Sequence, residues 1–189
     1  MRAFLALDLP EEMRAAVASL QDQLRVGRKP PAENLHLTLA FLDDQPEAVL
    51  AELHEALQGE RLPEIHLALQ GLELFGGARP RVLYAKGEGG AALVALHRTV
   101  RRVARDVGIE LSRERFRPHV TLARFRPHVT LARFRRDMSE DEAVKLGQFM
   151  ARCGDWQFSE APIAALCLFG SELHPDGAVH DVLAGYPLG

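Results

Sequence analysis

Three times in 189 residues the chain reads His-x-Thr-Leu-Ala. The first copy is HLTLAFL, His36 to Leu42. The other two lie in FRPHVTLARFRPHVTLARF, Phe116 to Phe134, where the nine-residue unit FRPHVTLAR is written twice without a change. On a strand, side chains at i and i+2 share a face. His36 and Thr38 are then expected to project together, with Leu37, Leu39 and Phe41 turned to a core behind them. His119 and Thr121 repeat this, with Val120 and Leu122 behind.

The surroundings of the motifs repeat as well. AFLALDL (Ala3 to Leu9) reads as a buried strand. A helix follows, opened by Asp8, Pro10 and Glu11, with Met13, Val17, Leu20 and Leu24 on one face. After the GRKPPAEN loop comes the strand Leu35 to Leu42. Asp44, Pro46 and Glu47 open a second helix, and Ile65 to Phe75 is a strand bent at Gly71. The order then starts again: a strand Arg81 to Lys86, a helix through Leu93 to Val107 closed by Gly108, and the FRPHVTLAR strand. A helix Asp141 to Arg152 with a Ser139/Glu142 capping box follows, then strands Pro162 to Gly170 and Val179 to Tyr186. With 47% hydrophobic residues the chain can bury a sizeable core. The expectation is an α+β fold: one bilobal domain over 1–189, with pseudo-twofold lobes built mainly from about 1–75 and 80–170 and strand exchange between them. Mainly antiparallel sheets would line a central cleft, helices would lie outside, and the two histidine strands would face each other.

Two imidazoles and two hydroxyls converging on one ligand suit in-line attack at phosphorus. One imidazole takes a proton from the nucleophile and the other gives one to the leaving oxygen. The threonines donate to non-bridging oxygens, where charge builds up. No metal or cofactor is required. A single HLTL on a strand would be unexceptional as a structural histidine, but matched recurrence in two halves argues for shared chemistry. A zinc site fits poorly, because no two histidines stand i, i+4 on a helix or beside a cysteine pair.

HLTL at 36–39 and PHVTLAR at 118–124 resemble the paired signatures of the two-histidine phosphoesterase superfamily. Within it, the chain is most similar to the bacterial RNA 2′,3′-cyclic phosphodiesterases, also called RNA 2′-5′ ligases. RAFLALDLP and RVLYAKG extend the likeness. The resemblance implies a bilobal α+β fold and no metal. It implies opening of a terminal 2′,3′-cyclic phosphate on RNA to a 2′-phosphomonoester, and ATP-independent formation of 2′-5′ linkages. It assigns His36 and Thr38 to the first motif, with His36 the acid. It assigns His119 and Thr121, or His128 and Thr130, to the second, whose histidine is the base.

Because nine is odd, the two copies of FRPHVTLAR cannot fill one strand in the same way. The spacing from the preceding strand favours His119, and the spacing to the next helix cap favours His128. The helix-to-strand connection from Gly108 to Phe116 is of ordinary length, which tips the reading toward His119. Arg124 or Arg133, closing the motif, is a candidate phosphate contact, although on a regular strand it would share the face of the apolar residues. Tyr84 and Phe75 are weaker candidates for contact with substrate. His54, His66 and His97 read as structural, and His174 and His180 as exposed beside a turn.

Net charge is −3, but Arg113 to Arg136 holds eight arginines and one acid, Glu114. Such a run favours a polyanion, RNA with 2′,3′-cyclic phosphate or 2′-phosphate ends. Two rivals stay open: a cyclic phosphodiesterase for small nucleotides, and a non-catalytic RNA-binding module. Aromatic residues make up 6%, too few for a broad stacking platform. The two cysteines, Cys153 and Cys167, fit no metal or disulfide pattern, and no export signal or membrane span is visible. The expectation is a cytoplasmic monomer.

Overall fold

A computed structural model describes residues 1–77, 80–113, 115–125, 138–174 and 177–189. Among these residues, eight strands are β1 (Arg2–Asp8), β2 (His36–Asp44), β3 (Ile65–Phe75), β4 (Val82–Glu88), β5 (His119–Arg124), β6 (Gln157–Ile163), β7 (Ala165–His174) and β8 (Gly177–Pro187). Four helices are α1 (Glu11–Asp22), α2 (Glu47–Gln58), α3 (Gly90–Asp106) and α4 (Glu140–Cys153). The strands form one curled sheet in the order β6-β3-β4-β5-β2-β1-β7-β8, with every neighbour antiparallel. The expected α+β architecture is therefore present, but the two histidine strands, expected to face each other, are instead hydrogen-bonded neighbours, β2 and β5, at the centre of one sheet.

Burial explains the sequence pattern. In β1, Ala3, Leu5 and Leu7 join the large core shared with the helices, while Phe4 and Ala6 turn to a small cluster with Cys167 and Phe169. AFLAL, Ala3 to Leu7, is apolar throughout because both its faces are covered. Met13, Val17 and Leu20 of α1 and Leu93, Leu96, Val100 and Val103 of α3 are buried at the expected helical spacing. Gly108, at φ +85°, ends α3 with its amide donating to the Arg105 carbonyl. The Ser139/Glu142 capping box forms at α4. Gly71, at φ +73°, sits where the register of β3 shifts against β4.

Three local expectations are corrected. Asp8 does not cap α1. Pro10 holds that position, its carbonyl accepts from Met13 and Arg14, and the Asp8 carboxylate accepts from Arg14 Nη1 at 2.6 Å. Pro46 likewise caps α2, and Asp44 ends β2. The run expected as one strand over 162–170 is two, β6 and β7, lying on opposite sides of the sheet. Pro162 is tolerated because β6 is an edge strand, where a missing N–H breaks no ladder.

The third correction concerns the motif strands. Against β1, β2 carries an extra residue at Leu39, because Leu5 pairs with Ala40 but Ala6 pairs with Thr38. Against β4, β5 carries one at Leu122, because Leu83 pairs with Ala123 but Tyr84 pairs with Thr121. Each bulge flips the alternation after it. Both strands then read half-buried, buried, half-buried, buried, buried, exposed over their first six residues. Phe41, expected in the core, is instead 62% exposed. Arg124 is turned to the face of His119 and Thr121. The histidine strands are joined in register at Leu37 opposite Val120. Gly87 permits the close approach there: its amide donates to the Pro118 carbonyl at 2.9 Å, and a Cβ on it would stand 2.7 Å from Leu37 Cδ1.

A bulge leaves a backbone group without its ladder partner. Gln21, buried on α1, donates from Nε2 to the carbonyls of Leu122 and Pro30, each at 3.0 Å. We expect Gln21→Leu to cost about 1–3 kcal/mol in urea unfolding, the cost of a buried carbonyl left without a donor. An unchanged unfolding midpoint would show that the bulge does not rely on Gln21. Gly87→Ala, by overpacking the join, should also cost about 1–3 kcal/mol. A wild-type midpoint there would show that Leu37 yields freely.

Candidate active site

The antiparallel join sets the geometry. About the Leu37–Val120 pair, the residue before one strand's partner faces the residue after the other's. His36 is thus directed toward Thr121, and His119 toward Thr38. All four side chains are half-buried on the face away from the main core. That face is open because the four helices cover the other.

Each histidine is held in the same way. His36 Nδ1 lies 2.8 Å from the carbonyl of Asn34, and His119 Nδ1 lies 2.7 Å from the carbonyl of Arg117. A carbonyl can only accept, so Nδ1 carries the hydrogen and Nε2 is left to exchange a proton with a ligand. Each ring also has an aromatic wall. His36 packs on Phe4 at 4.8 Å between centroids, and Phe4 stacks on Phe169 at 5.0 Å. His119 meets Phe75 at 5.0 Å and Tyr84 at 5.1 Å, both edge-on, and those two rings stack at 4.1 Å. Arg117 lies over the Phe75 ring at 5.9 Å. Tyr84 is buried and donates from its hydroxyl to Glu73 Oε2 at 2.5 Å.

The electrostatics are those of an anion site. Burial, then the charges of His180, Arg124 and His119, push the His36 imidazole down to about 4, against the opposing effect of the hydrogen bond it donates to the Asn34 carbonyl. Burial and Arg124 also lower His119. The Arg124 side chain is open to solvent in part, yet enough protein surrounds its guanidinium to lower its own pKa. Its field reaches His36, His119 and His180. Both motif histidines are therefore neutral near pH 7 in the free chain, and a bound anion would favour their charged forms.

Of the residues singled out from the sequence, His36, Thr38, His119, Thr121, Arg124, Tyr84 and Phe75 come together on this face. His128, Thr130 and Arg133, in the second copy of the motif, lie outside the described residues. His97 is structural as expected, its ring stacked on Phe116 at 3.8 Å. His180, which its place beside a turn marks as exposed, is instead packed into the site. Its ring stands edge-on to His36 at 5.5 Å and to Phe4 at 4.9 Å. Sequence reasoning does not find Phe4, Phe41, Phe169 and His180 as site residues, because three of them sit in runs that read as core strand. His180 comes from the far end of the sequence, and only the pairing of β1 with β7 and β7 with β8 brings it here. Among the described residues no three His, Cys, Asp or Glu side chains gather to hold a metal ion. A separate hollow lined by Glu64, His66, Gln70, Glu88 and Glu160 lies away from both motif histidines, and its acids would repel a phosphate.

Comparison with known proteins agrees with this picture. The pattern of the 2′-5′ RNA ligase superfamily matches residues 9–170. An RNA 2′,3′-cyclic phosphodiesterase of Thermus thermophilus is 35% identical over 201 aligned residues, covering 100% of this chain and 90% of that one. A crystal structure of a Thermus thermophilus protein superposes with a TM-score of 0.77 at 31% identity, covering 100% of this chain and 98% of that one. E. coli LigT complexed with 3′-AMP shares the fold, with a TM-score of 0.73 at 24% identity over 99% of this chain and 97% of that one. With the family pattern spanning most of its length and its paired His-x-Thr strands joined at the centre of one sheet, this chain belongs to the 2′-5′ RNA ligase superfamily.

Proposed function

We propose that this chain is an RNA 2′,3′-cyclic phosphodiesterase that uses His36 and His119 as its acid–base pair. The observation that carries the reading is the matched pair of imidazoles. Each is clamped through Nδ1 by the carbonyl two residues before it, and each stands across the β2–β5 join from the other motif's threonine. The name borne by the Thermus thermophilus relative supports the substrate.

In the proposed mechanism the cyclic phosphate lies over the join. Thr38 and Thr121 donate to its non-bridging oxygens, and Arg124 balances their charge. His119 Nε2 takes a proton from water as the water oxygen bonds to phosphorus. The bond from phosphorus to the ribose O3′ breaks, and His36 Nε2 gives O3′ its proton. The product is a 2′-phosphomonoester and a free 3′-hydroxyl. His36 gains its proton when the substrate's negative charge arrives. If the 5′-hydroxyl of a second RNA replaces water, the same displacement leaves a 2′-5′ linkage without ATP.

Phe41 is the exposed counterpart of Arg124 after the first bulge and lies 6.2 Å from Phe4. It offers the base of the terminal nucleotide a stacking surface. Arg113, Arg115 and Arg117 are exposed on the approach to β5, while Phe116 between them is stacked on His97. This row of arginines favours an RNA strand over a small cyclic nucleotide. In the described residues no helix is long and apolar enough to cross a membrane. The chain is proposed to act as a monomer.

The test is hydrolysis of an oligoribonucleotide ending in a 2′,3′-cyclic phosphate, in EDTA. His36→Ala and His119→Ala should each lower kcat about 10²- to 10⁴-fold, and His128→Ala should stay near wild type. Inactive wild type would overturn the reading, and a dead His128→Ala beside an active His119→Ala would move the second role to the other copy. The pH profile is a further check. One imidazole must be charged and the other neutral, and both titrate below their ordinary 6.5 in the free chain. The maximum of kcat/KM should therefore lie below pH 6.5, with about a tenfold fall per unit on the alkaline side. A plateau from pH 7 to 9 would contradict the two-imidazole mechanism.

A further inference from the structure

We propose that His180 is a positioning residue for His36: its ring fixes the plane of the His36 imidazole, and the two rings hold one proton between them. The inference rests on the two-histidine reading and adds a third imidazole to it.

The two halves of the site are walled differently. His119 meets Phe75 and Tyr84, rings that carry no charge at working pH. His36 meets Phe4 and His180. The His180 ring stands edge-on at 82° to His36 and at 80° to Phe4, against a His36–Phe4 pair tilted by 32°. Packing alone would be served as well by phenylalanine. The histidine is in fact a poor packing choice, because its Nδ1 is buried with no hydrogen-bond partner among the described residues. The carbonyl of the preceding Val179 is near enough to favour the charged form slightly, but it is not placed for a proper bond.

One residue ties the two rings together. Asn34 accepts His36 Nδ1–H on its backbone carbonyl and donates from its side-chain Nδ2 to the carbonyl of Ala178, two residues before His180, at 3.0 Å. The strand carrying His180 is thus fastened to the residue that orients His36.

The charged groups around the pair decide how many protons it holds. On β5, Arg124 opposes a proton on either ring, and His119 opposes one on His36. On β8, Asp181 favours one on His180. On β1, Asp8 lies opposite His36 in register, but its carboxylate is engaged by Arg14. Two charges 5.5 Å apart beside a guanidinium are costly. When an anionic phosphate brings in a proton, the pair takes one.

The test is to follow the imidazole titration of His36 by NMR in the ligand-free protein, beside the pH profile of kcat/KM. His180→Phe keeps the ring and removes the charge. We expect it to move the His36 midpoint to higher pH and to move the alkaline limb of kcat/KM with it. Activity on that limb should rise about threefold relative to the optimum, the factor two unit charges at this distance exert through bulk water. His180→Gln, which is uncharged and smaller, should shift the His36 midpoint in the same direction if His180→Phe proves hard to fold. Unmoved midpoints in these variants would overturn the proposal and leave His180 as packing. Absence of any cyclic-phosphate turnover in wild type would overturn the phosphodiesterase reading instead, and the NMR titrations would still decide the coupling.

Discussion

The site depends on one backbone contact, the meeting of Leu37 with Val120. Both residues are fully buried, so the helix-side core grips the two motif strands at that point. Because the strands run antiparallel, gripping them there sets each histidine across from the other motif's threonine. In the proposed function neither half of the chain contains a complete phosphoryl site. The join would make one from two incomplete pieces, and the tolerance at Gly87 sets how closely the pieces approach.

The electrostatic design follows from which charges face that join. Asp8 is paired with Arg14, and Glu73 accepts from Tyr84, so these two carboxylates are occupied. Among the described residues, three imidazoles and the guanidinium of Arg124 stand on the open face, with Arg117 over the Phe75 ring at its edge. Burial and the Arg124 charge lower all three imidazoles, and His180 and His119 lower His36 further. A phosphate entering the site supplies negative charge, so binding the substrate and loading the proposed acid become one event.

Much of this was legible in the sequence, for physical reasons. Helix faces, the Ser139 capping box and the Gly108 terminus are local, and local spacing reveals them. The His-x-Thr pairs were legible because strand alternation needs only two residues to place both side chains together. Alternation failed just beyond them. Leu39 and Leu122 bulge with no glycine or asparagine to mark them, so Phe41 and Arg124 land on the face opposite to the one that counting gives. His180 could not be found in the same way, since its neighbour is chosen by strand pairing across the length of the chain. Pro162 and Ala165 read as one apolar run, although β6 and β7 lie on opposite sides of the sheet.

The paired bulges also have a bearing on how a ligand can be seated. A backbone with two matching halves would by itself accept a ligand in either of two opposed orientations. After each bulge the chain presents one exposed side chain at an equivalent place, and these are an aromatic ring, Phe41, and a cation, Arg124. A nucleotide is likewise two-ended, with a flat base and a charged phosphate. In the proposed function this unlike pair, together with the unlike rings beside His36 and His119, breaks the degeneracy of the two matching halves and makes the sheet a one-way socket.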